Sequence, residues 1–325
     1  FPEGWEQDLR RLLFLQSLLR DHSNRLKGNT VFWSKVLQAE PENPFAAILY
    51  GRLLWGYGAV YPDAGKTAVE RIARLYEAQK HDADIAVSYA NALYNLTVEQ
   101  KADRRAEPVS RLEALYQKHT DVPEIAEAYA NGLFNLTVVQ DEAGRAKTVS
   151  RLEALYQKHA DVPEIAEAYA NGLCNLTVGQ DEAGRAKTVS CLEVLYQKHT
   201  NVPGIALKYA KGLYNLTVVQ DEAGCAKTVS RLEALYQKHT DVPEIAEAYA
   251  KGLCSLTVVQ DEAGRAEAVS RLEALYQKHA DVPEIAGAYA KGLCNLTVGQ
   301  DEADCAETIS RLEALYQKHA DAPEI

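Results

Sequence analysis

Residues 111–150 read RLEALYQKHTDVPEIAEAYANGLFNLTVVQDEAGRAKTVS. The next forty residues, Arg151–Ser190, nearly repeat them, and so do Cys191–Ser230, Arg231–Ser270 and Arg271–Ser310. Arg71–Ser110 is a more diverged copy, and Arg311–Ile325 begins a further one. Self-similarity at a fixed period of this size is the signature of stacked units, each covered by its neighbours because none buries its apolar face alone. The chain therefore reads as an array: 71–110, 111–150, 151–190, 191–230, 231–270, 271–310 and a partial 311–325, preceded by a cap over 1–70.

Each period offers two helices. The first is predicted over Pro123–Gln140, with Asp121 as N-cap, Pro123 in the first turn and Glu124 at the positive end of the helix dipole. Asp141-Glu142-Ala143-Gly144 reads as a break. The second helix is predicted from about Ala146 to His159, where Lys158 and His159 meet the C-terminal carbonyls. Repeated helix pairs without a strand pattern give an all-α fold, a right-handed α-α superhelix of helix-turn-helix units. Histidine recurs at 119, 159, 199, 239, 279 and 319. That helix-end position, with no other ligands clustered beside it, points to capping and not to metal chemistry.

Composition narrows the function classes. No run approaches the ~18 apolar residues of a membrane span. The most apolar N-terminal segment, Leu12–Leu19, is broken by Gln16 and Ser17 and does not read as a leader. The net charge of −11 resides in the repeats, since residues 1–70 carry eight basic and eight acidic side chains. An acidic array repels phosphate backbones, so no nucleic-acid partner is expected. Cys174, Cys254 and Cys294 share one slot of the repeat, Cys225 and Cys305 another, and Cys191 stands alone. Equivalent positions in adjacent units lie ~10 Å apart, beyond disulfide reach. Free thiols, and hence a reducing, cytoplasmic setting, are the expectation. No metal spacing is present and no cofactor is expected. Gly65-Lys66-Thr67 lacks the glycine that a phosphate loop requires five residues earlier, where Val60 stands, and reads as a turn before a helix. Asn135-Leu136-Thr137 matches a glycosylation sequon, but its place on an amphipathic helix beside a buried position argues against modification.

The cap begins with a predicted helix over Trp5–Arg20 and a second over Thr30–Ala39. All three tryptophans (Trp5, Trp33, Trp55) and four of the five phenylalanines precede residue 60, bulk that suits the covering of a terminal face. Leu37–Arg52 then reads LQAEPENPFAAILYGR. Here the chain resembles the tetratricopeptide-repeat and Sel1-like α-solenoids, in which a helix ends at a proline such as Pro41 and the next begins in a phrase like Asn43-Pro44. The resemblance covers most of the chain as helix pairs. The family's period is shorter, by about six residues, and the additional residues are expected in the turn within each pair. The resemblance implies a superhelix whose first helices line a groove that holds a peptide.

Comparison of the copies divides the first helix into two arcs. Ile125, Ala126, Tyr129, Ala130, Leu133, Leu136, Thr137 and Gln140 are the same in every complete copy and project onto one side, the expected packing surface. Second-helix residues Val149, Leu152, Leu155 and Tyr156 are expected to complete it. Three slots vary: Val87, Glu127, Glu167, Leu207, Glu247, Gly287; Asn91, Asn131, Asn171, Lys211, Lys251, Lys291; and Tyr94, Phe134, Cys174, Tyr214, Cys254, Cys294. Their i, i+4, i+7 spacing places them on one face, flanked by Asn95, Asn135, Asn175, Asn215, Ser255 and Asn295. Val138 is the same in every copy yet projects into this varying arc. Unrestrained solvent positions would also vary. Aromatics and cysteines alternating in one slot favour a ligand-facing surface instead. An asparagine ladder suits an extended peptide, because each amide both donates and accepts. Tyr94, Phe134 and Tyr214 would supply apolar pockets. Relatives of the resembled family that clamp a terminal carboxylate place lysine where Glu127 and Glu167 stand, so that mode is not expected here, while Lys211, Lys251 and Lys291 admit an acidic ligand.

The expected function is a non-enzymatic scaffold that binds a protein or peptide in the groove of the first helices. The alternative is a dedicated inhibitor or immunity-type protein that occludes a partner. Catalysis needs different groups converging on one point, and repetition instead spreads each polar residue along the array. An end face without a covering helix is expected to support end-to-end self-association.

Overall fold

The structure, a computed structural model, describes residues 62–99 and 101–319, together with Ser34, Lys35 and Gln38. The cap helices expected over Trp5–Arg20 and Thr30–Ala39, the Leu37–Arg52 phrase and the three tryptophans lie outside the described residues, apart from those three positions. The chain divides into two compact units, Phe1–Val139 and Gln140–Ile325. The described residues of the first hold α1 (Pro62–Ala78), α2 (Ala83–Glu99), α3 (Ala106–Lys118) and α4 (Pro123–Thr137). Those of the second hold α5 (Glu142–Lys158), α6 (Pro163–Leu176), α7 (Glu182–Lys198), α8 (Pro203–Thr217), α9 (Glu222–Lys238), α10 (Pro243–Val259), α11 (Glu262–Lys278), α12 (Pro283–Leu296) and α13 (Glu302–Lys318). No strand occurs among the described residues. Within each unit every helix packs on the next, and the first helices of successive pairs (α2 and α4; α6, α8, α10 and α12) also pack side by side. This is the arrangement of an α-solenoid of helical hairpins.

The helix boundaries follow from local chemistry, and three differ from expectation. The second helices of the second unit begin at Glu142 and its equivalents, four residues earlier than expected, whereas α3 begins at Ala106, at the expected position. Asp141, in extended conformation, accepts at Oδ1 from the backbone N–H of Gly144 at 2.8 Å. That capping bond turns Asp-Glu-Ala-Gly from an apparent break into a first helical turn. The additional residues of the period are therefore helical, and the turn within the pair is only residues 138–141. Helix α4 ends at Thr137, not Gln140, where the threonine hydroxyl donates back to the Phe134 carbonyl at 2.7 Å. Its N-cap is Val122, not Asp121, and no side chain caps it. The diverged copy carries Asp82 at that position, and its Oδ1 does accept from the Ile85 N–H at 3.1 Å. Gly65, Lys66 and Thr67 lie inside α1, not in a turn before it.

The packing arc is buried as expected except for Gln140, which is half-buried beyond the helix end: Ile125, Ala126, Ala130 and Leu133 are fully enclosed in α4, and Ile205, Ala206, Ala210 and Leu213 in α8. Each enclosed Leu or Ile side chain contributes roughly 1.5–3 kcal/mol relative to exposure. Close approach uses the glycine of the first helix. A Cβ on Gly212 would lie 2.7 Å from Leu192 Cδ1 of α7, and on Gly292 it would lie 2.7 Å from Leu272 Cδ1 of α11. In the diverged copy Ala92 fills this slot on α2, and the facing second helix, α1, carries Ile72 in place of leucine.

Tyrosines and histidines join one hairpin to the next. Tyr156 stacks on Tyr169 of the following first helix, with ring centroids 5.7 Å apart, and Tyr196 on Tyr209 at 5.6 Å. The Tyr156 hydroxyl also lies 2.9 Å from Nε2 of His199, at the end of the next second helix. Tyr196 meets His239, Tyr236 meets His279 and Tyr276 meets His319 in the same way, and in the first unit Tyr76 meets His119. The histidines do end helices, but their side chains bridge hairpins through hydrogen bonds to tyrosine hydroxyls.

A second link joins three helices. Tyr209 of α8 donates to Glu193 of α7, and Arg231 of α9 donates to both. Arg271 with Glu233 and Tyr249, and Arg311 with Glu273 and Tyr289, repeat the pairing of arginine with both partners. Cys191 replaces the arginine of this set beside Glu153 and Tyr169. Burial, then the Glu153 charge, pushes the Tyr169 phenol well above its ordinary range. A third link breaks at one place in the second unit. Thr148, Thr188, Thr228 and Thr308 each donate to the glutamine eight residues before, at 2.7–2.9 Å. The equivalent of these threonines is Ala268, and Gln260 Oε1 is left buried without a partner.

Ala268→Thr is expected to stabilise the second unit by about 1 kcal/mol. Relief of a buried unsatisfied acceptor (~1–3 kcal/mol) outweighs the lower helix propensity of threonine (~0.6 kcal/mol). A higher guanidinium midpoint checks it. The histidines set a pH window. Burial first, then Lys198, lowers the pKa of His199; burial, then Lys278, lowers that of His279 against an opposing pull from Asp281. Below about pH 6.5, the unfolded value, the unfolded chain then binds more protons than the folded one. The contribution of these groups is full above that pH and is lost as pH falls through the depressed folded values. Melting curves between pH 7.5 and 5 should show Tm falling on the acid side, with a shallower slope in the His199→Gln, His279→Gln double variant.

Candidate functional site

The varying slots project from one side of the first helices. In the first unit Val87, Asn91 and Tyr94 of α2 lie beside Glu127, Asn131 and Phe134 of α4, all six half-buried between helix and solvent and all but Val87 carrying polar or aromatic groups. In the second unit the slots run from Glu167, Asn171 and Cys174 of α6 through Leu207, Lys211 and Tyr214 of α8 to Glu247, Lys251 and Cys254 of α10. They end at Gly287, Lys291 and Cys294 of α12. Lys211, Lys291 and Cys294 are exposed, Gly287 is buried and the others are half-buried.

The two asparagine columns separate chemically. Asn135 Nδ2 donates to Thr97 Oγ1 of the neighbouring first helix at 2.8 Å, Asn215 to Thr177 at 2.8 Å and Asn295 to Thr257 at 2.9 Å. That column ties first helices together, and its donors are committed to the fold. Asn95 and Asn175 are half-buried positions of the same column. Ser255, too short for the tie, bonds instead to the Lys251 carbonyl. The backbone carbonyls at the ends of these helices receive arginines from the start of the preceding second helix: Arg105 on Asn135, Arg145 on Asn175 and Val178, Arg265 on Asn295. Positive charge there offsets the negative end of the helix dipole. Among the described residues Asn91, Asn131 and Asn171, by contrast, have half-exposed amides with no hydrogen bond to the chain.

The α6–α8 junction is the most individual place along the second unit. Lys208 stands where the other copies carry alanine or serine, and Gly204 replaces glutamate. The Glu167 carboxylate occupies the space over that glycine, where a Cβ would collide with its Oε1. Burial pushes the Cys174 thiol pKa up, opposed by Lys208 and Lys211. Further along, Lys251 is paired with Glu247 on its own helix, so Lys211 and Lys291 present the freer ammonium groups.

Val138 belongs to the same surface. It lies eleven residues after Glu127, hence on the same helix face. Val98 and Val138 of the first unit are 53% exposed, and Val178, Val218, Val258 and Val298 of the second are at least as open. Its identity in every copy, within an otherwise varying arc, is the sequence signal that marks it. Side by side, open amides and open valines offer both partners for a backbone and apolar contact for side chains, and the lysines add cationic points.

The remaining features are structural. Thr137, the sequon's third residue, is fully buried, and the Asn135 amide is engaged. All six cysteines are free. Among the described residues no group of three His, Cys, Asp or Glu side chains could hold a metal ion, and no helix is long and apolar enough to cross a membrane. No protein-family model and no curated protein matches the chain.

The separation of the columns is testable. Asn215→Ala should cost about 1 kcal/mol, since it removes a part-buried cross-helix bond. Asn171→Ala should stay within about 0.5 kcal/mol of the parent. Urea titrations of the two variants check this; equal losses would merge the columns.

Proposed function

We propose that the chain is a non-enzymatic interaction scaffold, tetratricopeptide-like in kind, which binds a peptide or protein along the exposed side of its first helices. The observation that carries this reading is the contrast between neighbouring asparagines. One column is spent on the fold; Asn91, Asn131 and Asn171 hold open amides beside exposed valines. Side chains that serve stability alone would be expected to be either engaged or replaced by better helix formers, because asparagine is a poor residue for a helix interior. An extended segment would satisfy these amides through its backbone and lay apolar side chains on the valines. The ligand chemistry changes along the second unit, where Lys211 and Lys291 favour carboxylate-bearing segments.

The test is selection of displayed random peptides against the intact chain, followed by measurement of the selected peptides on variants. Asn91→Ala with Asn131→Ala should weaken them by about tenfold or more, in line with loss of several backbone-directed bonds, with Tm unchanged. Undiminished affinity in a double variant that keeps its Tm would remove this surface as the binding site.

A further inference from the structure

Helix α8 differs from the other first helices in the sign of its charge. Helices α4 and α6 carry two glutamates each and no cation, α10 two glutamates and one lysine, and α12 one of each. Helix α8 carries Lys208 and Lys211 and no carboxylate. Set against the adjoining copies, Gly204 stands for Glu164 and Glu244, Leu207 for Glu167 and Glu247, and Lys208 for Ala168 and Ala248. Each change moves the helix in the same direction. The second helices on either side, α7 and α9, go the other way, since Cys191 and Cys225 stand where the adjoining copies have arginine. The gain of positive charge is confined to the first helix and is not a general drift toward basic residues.

The two lost glutamates decide what the lysines can do. On α10, Glu247 pairs with Lys251 one turn later. On α8 the residues four before Lys208 and Lys211 are Gly204 and Leu207, so neither lysine meets a carboxylate at that spacing. Among the described residues neither ammonium group has a hydrogen bond or an ion pair. Lys208 is half-buried where Ala168 and Ala248 are enclosed, and both lysines act on the Cys174 thiol of α6, so both reach the same junction. The Glu167 carboxylate over Gly204 sets one negative charge against these two positive ones, without an ion pair to either. Two ammonium groups three residues apart on a helix repel each other, a cost to the free chain that an entering anion removes.

We propose that this junction is a subsite for an acidic side chain, aspartate or glutamate, lying inside the bound segment and next to an apolar residue. It rests on the first helices being the binding surface. Lys208 and Lys211 receive the carboxylate. Leu207 and Tyr214, both half-buried, stand one turn to either side of Lys211 on the same face and contact the apolar neighbour. The open amide of Asn171, on the adjoining α6, meets the segment's backbone. Because apolar side chains continue the surface on both sides of Lys211, the segment runs through the subsite, which takes an internal carboxylate and not a chain end.

The test selects displayed random peptides on the full chain and, in parallel, on a Lys208→Ala, Lys211→Asn variant. Both substitutions install the residues of the α6 copy, so the fold and the backbone-directed amides are kept. Aspartate or glutamate beside an apolar residue is expected to be enriched on the parent and not on the variant. A recovered acidic peptide, labelled and C-terminally amidated, should bind the variant about tenfold more weakly by fluorescence anisotropy. Leu207→Glu, which rebuilds the pairing of Glu247 with Lys251, should weaken it about as much. Replacing the peptide's acidic residue by its amide should cost the same on the parent and nothing further on the variant. Peptides that bind the parent without acidic enrichment, or acidic peptides indifferent to both variants, would overturn the subsite and leave the scaffold standing. Binding that requires a free C-terminal carboxylate would overturn it as well. Recovery of no peptide on the parent would remove both the subsite and the scaffold.

Discussion

In the second unit each interior second-helix tyrosine is held on two sides, and the rest of the packing is arranged around that grip. Its ring lies flat against a tyrosine thirteen residues later, and in four hairpins of the second unit its hydroxyl meets a histidine forty-three residues later. Both partners lie further along the chain, in the two helices of the adjoining period. One hairpin therefore cannot satisfy its own tyrosine. The small first-helix residue beside the stack, glycine against leucine or Ala92 against Ile72, sets how near the rings approach. A constraint of this kind makes stability a sum of neighbour terms, with each copy dependent on the adjoining one.

Such an array tolerates local defects, because a fault in one interface leaves the others intact. The substitutions between copies fall on three linking systems. Cys191 removes an arginine from a tyrosine–glutamate pair, Ala268 strands the Gln260 carbonyl oxygen, and Ser255 drops an asparagine–threonine tie. Burial raises the Cys191 thiol pKa and Glu153 raises it further, so this cysteine sits as a neutral filler where a cation stands elsewhere. The tyrosine stack itself has no such substitution in the described copies. Links that add to a formed interface vary, and the contact that forms it does not.

The repeat and its packing arc are legible in the sequence because burial imposes periodicity, and periodicity survives comparison of copies. Helix boundaries are less legible. Gly144 carries the composition of a break, and only the carboxylate of Asp141, three residues earlier, makes it the first turn of a helix. The histidines look like helix-end charges because a linear sequence shows the helix end and hides a tyrosine forty-three residues away. The site is legible as a face but not as a division of labour. Asn131 and Asn135 are the same residue type one turn apart, and what separates them is Thr97, thirty-eight residues before Asn135. No local pattern reports a partner at that distance.

The neighbour constraint also decides which positions can differ between copies. A residue bound by the neighbour constraint is not free to specialise, since any change must suit two hairpins at once. Positions outside it are free, and they differ in what they present: Asn131 and Asn171 give way to Lys211 and Lys291, and Phe134 to Cys174 and Tyr214. Val138 is the exception that narrows the reading. It is exposed by more than half and so escapes the constraint, yet it is retained in every copy. Solvent contact gives no physical reason to keep a β-branched apolar residue at the end of a helix, where a polar side chain would serve the open carbonyls better. Contact with something apolar does give one. Retained valines beside changing amides and lysines amount to a shared apolar strip with a varying polar margin.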